Sequence, residues 1–249
     1  MAEVAERLRA AGCVFAEDEA ALLTEAARSP AELESMVERR AGGLPLEQVL
    51  GWAEFCGLRI AVEPGVFVPR RRTELLVREA AALAPAGAVV VDLCCGSGAI
   101  GAALGAAELH AVDLDPAAVR CARANLREAA VYEGDLYEPL PEALKGRVDV
   151  IAANVPYVPS AEIALLPAEA REHEPRTALD GGADGLDLLR RVAAEAPAWL
   201  ALRGALLSET SEDQAPAAAE ILAGAGLEPR VARSAELDAT VVVGVRMQP

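Results

Sequence analysis

Apolar and polar positions along the 249-residue chain fall into two rhythms. Residues 3–11, 17–28 and 31–41 repeat apolar side chains at helical spacing, and Ser29-Pro30 gives the third stretch a cap and a proline at its first position. Gly42-Gly43 ends that run. Residues 58–62 then alternate as a strand, Pro64-Gly65 reads as a turn, and Val66-Phe67-Val68 as a second short strand. From about residue 73 helix and strand alternate: helix 73–84, strand 88–93, helix 99–105, strand 108–113, helix 116–128 and strand 130–134. Strand 148–153 follows, then a long loop over 155–185. Helix 186–200, strand 205–210, helix 213–225 and strands 227–233 and 240–246 complete the order. Strands alternating with helices imply a mostly parallel sheet covered on both faces, a doubly wound α/β fold with seven strands. The reading divides the chain into a small helical unit at 1–43, a hairpin linker at 44–72 and an α/β domain at 73–249.

Composition narrows the picture. Apolar residues make up 53% of the chain but aromatics only 3%, so the core must be built from Ala, Val and Leu. The formal net charge of −16 opposes tight binding to nucleic acid, where cationic side chains supply most of the affinity. A small-molecule or protein substrate fits the charge better. The five cysteines include no Cys-x-x-Cys pair, which suggests reduced thiols and neither a disulfide framework nor a metal site. The acidic N-terminus has no apolar signal region and no apolar run reaches membrane-span length, so the expectation is a cytoplasmic protein without membrane contact.

Candidate chemistry begins at Asp92-Leu93-Cys94-Cys95-Gly96-Ser97-Gly98-Ala99-Ile100-Gly101, where a strand meets a helix. The glycines allow close backbone approach to a ligand, and the helix N-terminus points at the same place. Gly96-x-Gly98-x-x-Gly101 alone is a dinucleotide fingerprint, and Asp113 ends the next strand where a ribose acid belongs. Asp92, ahead of the glycines, resembles instead the Asp-x-Gly-x-Gly-x-Gly pattern of S-adenosylmethionine-dependent methyltransferases, with Cys94 in place of the first glycine. Asp135 and Leu136, after the third strand, are placed to bracket an adenine.

Strand 148–153 ends in Asn154-Val155-Pro156-Tyr157. An amide nitrogen is a poor nucleophile because its lone pair is delocalised. Acceptors that hold its N–H bonds and turn the lone pair toward a methyl donor help more than a base does. Asn154 supplies one acceptor and the following backbone a second. Pro156 stiffens that backbone, and Tyr157 can pack on the flat amide. His110 and His173 read as a strand histidine and a solvated loop histidine, and Trp52 and Trp199 as packing residues. Arg71 and Arg72 read equally well as a grip on an acidic segment or as a solvated helix entry.

Together these segments resemble the HemK/PrmC family of protein-(glutamine-N5) methyltransferases over about residues 44–246. The resemblance includes Pro45–Gly51, Glu54–Leu58, Pro64–Arg70, Thr73–Val77, Asn154–Tyr157 and Glu174–Leu186. It implies a seven-stranded class I methyltransferase fold with a small helical N-terminal domain for substrate recognition. It implies S-adenosylmethionine as methyl donor and S-adenosylhomocysteine as product, with no metal. The implied partner is a protein, the peptide-chain release factor, whose Gly-Gly-Gln glutamine is methylated. Carried over by position, the cofactor loop falls on Cys94, Cys95, Gly96, Ser97 and Gly98 behind Asp92. The ribose acid falls on Asp113, the adenine contacts on Asp135 and Leu136, and the amide site on Asn154, Val155, Pro156 and Tyr157. Phe67 and Arg70 fall in a segment covering the pocket. The chain departs from the family in three places: Val155 for proline, Arg71-Arg72 after Pro69-Arg70, and a shorter N-terminal helical region. Three other readings stay open from sequence: methylation of an exocyclic amine of adenine or guanine in RNA or DNA, a non-catalytic binding module of the same fold, and a nicotinamide-dependent enzyme.

Overall fold

The computed structural model describes residues 1–248. Four helices open the chain: α1 (Ala2–Ala10), α2 (Ala16–Ala26), α3 (Pro30–Ala41) and the short α4 (Leu46–Leu50). Ser29 caps α3 by accepting from the Glu32 N–H at 3.2 Å. Leu8, Leu23, Met36, Val37 and Val49 form one small core, so the helical packing runs past Gly43 into α4. At its centre Arg40 grips the buried Glu19 with two hydrogen bonds, of 2.6 and 3.0 Å.

A two-stranded antiparallel hairpin follows, β1 (Trp52–Phe55) and β2 (Leu58–Ala61). This corrects the expected hairpin. The turn is Cys56-Gly57, both at positive φ, and Val66-Phe67-Val68 forms no strand. Two residues with φ above zero match the twist of a tight hairpin, whereas Pro64-Gly65 serves a loop.

The main domain contains α5 (Glu74–Leu83), β3 (Val89–Leu93), α6 (Ala99–Leu104), β4 (Glu108–Asp113), α7 (Pro116–Asn125) and β5 (Ala130–Glu133). It continues with β6 (Val148–Ala153), α8 (Ala168–His173), α9 (Asp187–Trp199), β7 (Leu200–Thr210), α10 (Ala215–Gly224), β8 (Glu228–Ser234) and β9 (Ala239–Val245). The seven-stranded sheet runs β5-β4-β3-β6-β7-β9-β8, with β9 antiparallel to both its neighbours. Among the described residues no helix is long and apolar enough to cross a membrane.

Two further expectations are corrected. The segment 155–185 is not one loop, because it carries α8 and short 3₁₀ turns. Strand β7 starts at Leu200, five residues before the expected start, with an irregular register around Val148–Val150.

The sheet is buried on both faces, as a parallel sheet demands. Successive residues alternate between its two core layers. Val91, Ile151 and Leu206 pack under α9 and α10. Val90, Val150 and Leu207 pack under α5 and α6. Strand order reverses between β3 and β6, which places a crevice at their carboxyl ends. Trp199 is buried and stacks on Tyr137 at 5.5 Å, and His110 stacks on Tyr132, so both act in packing.

Candidate active site

The register of two neighbouring strands assembles the site. Leu93 of β3 stands beside Ala153 of β6, so Cys94 and Asn154 leave the sheet next to each other. They enter a cleft of about 1560 Å³ lined by Phe67, Arg70, Cys94–Ser97, Asp113, Asp135, Leu136 and Asn154–Tyr157. Asp92 and Gly98, also expected in the cofactor loop, stand behind its surface. Asp92 is fully buried and its Oδ2 accepts the Gly101 N–H at 2.9 Å, tying the first turn of α6 to β3. Gly98 presses against Leu126, and its φ of +77° turns the loop into the helix.

Asp113 braces the loop from the neighbouring strand. Its Oδ2 accepts from the Gly96 N–H at 2.8 Å and its Oδ1 from Asp115 at 2.9 Å. Burial raises its pKa against the pull of these bonds. At α7, Asn125 donates to the carbonyls of Ser97 at 2.8 Å and Ala61 at 2.9 Å, joining the glycine loop to the hairpin. The Asp135 Oδ2 is held by Arg191 at 2.7 Å, while Leu136 is buried at φ +49°.

Asp92 carries a second feature. Its Oδ1 is buried without a hydrogen-bond partner, and burial pushes its carboxyl from 3.8 up to about 7. The folded protein therefore binds this proton more tightly than the unfolded chain. The stability associated with the neutral form is complete below the unfolded value and is lost as pH rises through the folded one. Asp92→Asn keeps an oxygen for Gly101 and removes the ionisation. Its melting temperature is expected to gain on the wild type as pH rises from 4 to 8, and parallel melting curves across that range would contradict this account.

In the Asn154–Tyr157 segment, Asn154 Nδ2 donates to Thr73 Oγ1 over a long 3.5 Å, and its Oδ1 is buried with no partner. Val155 packs in the main core, 2% exposed, while also bordering the cleft. Tyr157 is half-buried and its hydroxyl donates to Glu209 Oε1 at 2.8 Å; burial, with the Glu209 carboxylate beside it, raises the tyrosine's pKa. Burial also raises the pKa of Glu209.

The segment Glu174–Leu186 supports the site from behind. Gln214 donates to the carbonyls of Tyr157 at 2.8 Å and Asp184 at 2.9 Å. A Cβ at Gly185 would stand 2.2 Å from the Tyr157 carbonyl, at φ +78°, so only glycine lets the two backbones meet. Glu174 accepts from Val68 N–H at 3.0 Å and from Arg70 at 2.5 Å, and Arg70 lies over the Phe67 ring at 4.8 Å. The covering segment 67–70 thus owes its shape to a carboxylate more than a hundred residues away. His173 ends α8 and is half-buried against Gly43, not in a solvated loop as expected. The roles of Thr73, Arg191, Glu209 and Gln214 carried no signal of their own in the sequence, because each partner lies far along the chain.

Comparison with known proteins matches residues 72–166 to a family described as ribosomal protein L11 methyltransferase. The release factor glutamine methyltransferase of Geobacter sulfurreducens is 43% identical over 188 residues, 72% of this chain and 65% of that protein. The chain thus spans just under two thirds of that relative's length. The protein of the same description from Streptomyces coelicolor is 39% identical over 189 residues, 72% of this chain and 67% of its own. A crystal structure of ribosomal protein L11 methylase from Lactobacillus delbrueckii subsp. bulgaricus shares the fold, with a TM-score of 0.55 at 18% identity over 76% of this chain and 86% of that one.

Proposed function

The chain belongs to the release factor glutamine methyltransferase family, and from that premise we propose that it transfers a methyl group from S-adenosylmethionine to the side-chain nitrogen of a glutamine in a protein. The observation that carries this reading is Asn154 Oδ1, a buried acceptor without a donor in the wall of the cleft beside the glycine loop. An unpaired buried acceptor costs about 1–3 kcal/mol, a cost that a ligand N–H removes.

The residues present suit the donor molecule. A Cβ at Gly96 would meet no atom within 4 Å, so that face of the loop is open to a ligand. Cys94–Ser97 would hold the methionine end, Asp113 the ribose hydroxyls, and Asp135 with Leu136 the adenine. Arg191 leaves Asp135 Oδ1 for the exocyclic amine. S-adenosylmethionine supplies a methyl group on a cationic sulfur, already activated for transfer. The protein's part is orientation. Asn154 Oδ1 holds one amide N–H, a backbone carbonyl of the same segment the other, and the half-buried Tyr157 flanks the amide plane. With both N–H bonds held, the nitrogen lone pair points across the cleft to the glycine loop. The amide proton leaves to solvent once the nitrogen has gained its methyl group.

The finer reading is that the substrate is a peptide-chain release factor and the site its Gly-Gly-Gln glutamine. The net charge of −16 supports a protein over a nucleic acid. The test is transfer of labelled methyl to purified release factors, with the product peptides sequenced by mass spectrometry. Label on the Gly-Gly-Gln glutamine is the expected result. Label on RNA or DNA, with none on protein, would replace the amide reading with exocyclic-amine methylation.

A further inference from the structure

Strands β6 and β7 are neighbours in the sheet, so the turn that leaves β7 stands beside the Asn154–Tyr157 segment that leaves β6. Gln214, the N-cap residue of α10, sits in that turn and borders the cleft. Both ends of its side chain are in use. Nε2 donates to the Tyr157 carbonyl at 2.8 Å and to the Asp184 carbonyl at 2.9 Å. Oε1 accepts from Thr210 Oγ1 at 3.1 Å, from the Ser211 N–H at 3.2 Å and from Ser211 Oγ at 3.0 Å. Two carbonyls at one end and a backbone N–H at the other leave a single orientation for this amide. Tyr157 is therefore held twice from one short stretch of chain, at its carbonyl by Gln214 and at its hydroxyl by the buried Glu209.

We propose that Gln214 is a positioning residue for methyl transfer: its Nε2 holds the Tyr157 peptide so that the tyrosine ring stands against the plane of the substrate amide. This rests on the amide-methylation reading. A ring anchored at its hydroxyl alone can still swing about that point when its backbone shifts. A second anchor on the backbone removes that freedom, and a reacting group gains most from contacts whose geometry is fixed beforehand. The same Nε2 holds Asp184, so the amide segment and the stretch Gly181–Gly185 form one wall of the cleft. A Cβ at Gly185 would collide with both Gln214 Nε2 and the Tyr157 carbonyl, so the glycine makes room for this junction. The two ends of Gln214 thus do separate work. Oε1 ties the side chain to its own turn, and Nε2 reaches the site.

That separation gives the test, made on the whole chain with Gln214→Glu and Gln214→Met. Glutamate keeps an oxygen for Thr210 and Ser211 and loses the NH₂. Ionised, it sets a carboxylate oxygen against two carbonyls; protonated, it donates one hydrogen bond again. The carboxylates of Asp213, Asp184 and Glu209 surround this position, and Arg72 borders the same cleft. Arg190 is held by Asp184 and Arg233 by Glu212. The donor is therefore present at low pH and lost as pH rises through the new carboxyl's pKa. Relative to wild type, the kcat of Gln214→Glu for methyl transfer should be about ten- to a hundredfold lower at pH 8 and recover toward pH 5.5, the scale on which misplacement of a reacting group acts. Gln214→Met, of similar length but without either donor, should lose a similar factor at every pH. S-adenosylmethionine affinity should stay within about twofold, since the loss falls on the chemical step. A second readout needs no substrate. The chain has three tyrosines, so ring carbon-13 labelling gives three sets of signals, and the Tyr157 set is the one lost in Tyr157→Phe. That set should move in both Gln214 variants. Wild-type kcat in Gln214→Glu at pH 8, or a loss that tracks melting temperature and not pH, overturns the positioning role. Unmoved Tyr157 signals overturn it as well. Moved signals in a protein that methylates no glutamine would keep the clamp on Tyr157 and remove the amide reading.

Discussion

Alanine at position 154 is expected to lower kcat for glutamine methylation by about 10²–10³-fold, the scale measured when one preorganised polar contact is removed from an active site. Asn154 Oδ1 is a buried acceptor with no partner within the protein, so removing it breaks no internal bond of that oxygen, and only the long Nδ2 bond to Thr73 is lost with it. The affinity for S-adenosylmethionine should change much less, because Cys94–Ser97, Asp113 and Asp135 remain in place. Asn154→Asp should be nearly as slow. It keeps acceptors but has no N–H for Thr73 and adds a charge to a site built for a neutral amide. Single-turnover transfer of labelled methyl, with cofactor binding measured separately by calorimetry, checks both. A rate within threefold of the wild type in Asn154→Ala would sink the assignment of the amide site.

The second large effect concerns stability. Arg40 and Glu19 have side chains 7% and 10% exposed and are joined by a two-pronged hydrogen bond. Arg40 also donates to the Leu44 carbonyl at 3.2 Å and pairs with Glu169 of α8 at 2.6 Å. Arg40→Ala leaves the Glu19 carboxyl unpartnered in the small core of the helical bundle. Breaking such a buried pair on one side costs about 3–5 kcal/mol. Urea unfolding should show a loss of about 3 kcal/mol. Substituting both partners with apolar residues of similar volume should restore much of it, since a buried ion pair repays little beyond its own desolvation. Equal stability of Arg40→Ala and wild type would show that water already reaches Glu19. Glu169 belongs to the cleft-lining segment, so the same arginine couples the N-terminal helices to one wall of the cleft.

Much of this molecule is written locally. Val89-Val90-Val91 and Val148-Asp149-Val150-Ile151 are too apolar to lie anywhere but inside a covered sheet, and Asp115-Pro116 caps and starts α7 within one turn. The alternation of such runs with amphipathic helices is enough to arrive at the doubly wound sheet. The glycine loop is legible for the same reason, because the positive φ at Gly96 and Gly98 is a property of those residues themselves. Asn154 is found once β6 is placed beside β3, and a strand order needs only the pattern of elements.

What the chain pattern left open are the contacts whose partners lie far apart in sequence. The hairpin turn went to Cys56-Gly57 and not to Pro64-Gly65, because Trp52–Phe55 and Leu58–Ala61 can pair and 66–68 has no strand to pair with. That second segment is instead held by the Gln48 side chain, which donates to Val66 at 3.1 Å, and by Glu174. Val155 reads as a weakened member of a substrate motif, yet it packs in the main core beside the cleft. Sequence alone determined the layers and the glycine loop and put Asn154–Tyr157 at the end of a central strand, since propensity and periodicity act between residues a few positions apart. The tertiary structure alone decided what holds the site: Thr73 beside Asn154, Glu209, Gln214 and Gly185 behind Tyr157, and Arg191 on Asp135. A buried hydrogen bond is specified by the three-dimensional meeting of a donor and an acceptor, and neither residue announces the other along the chain.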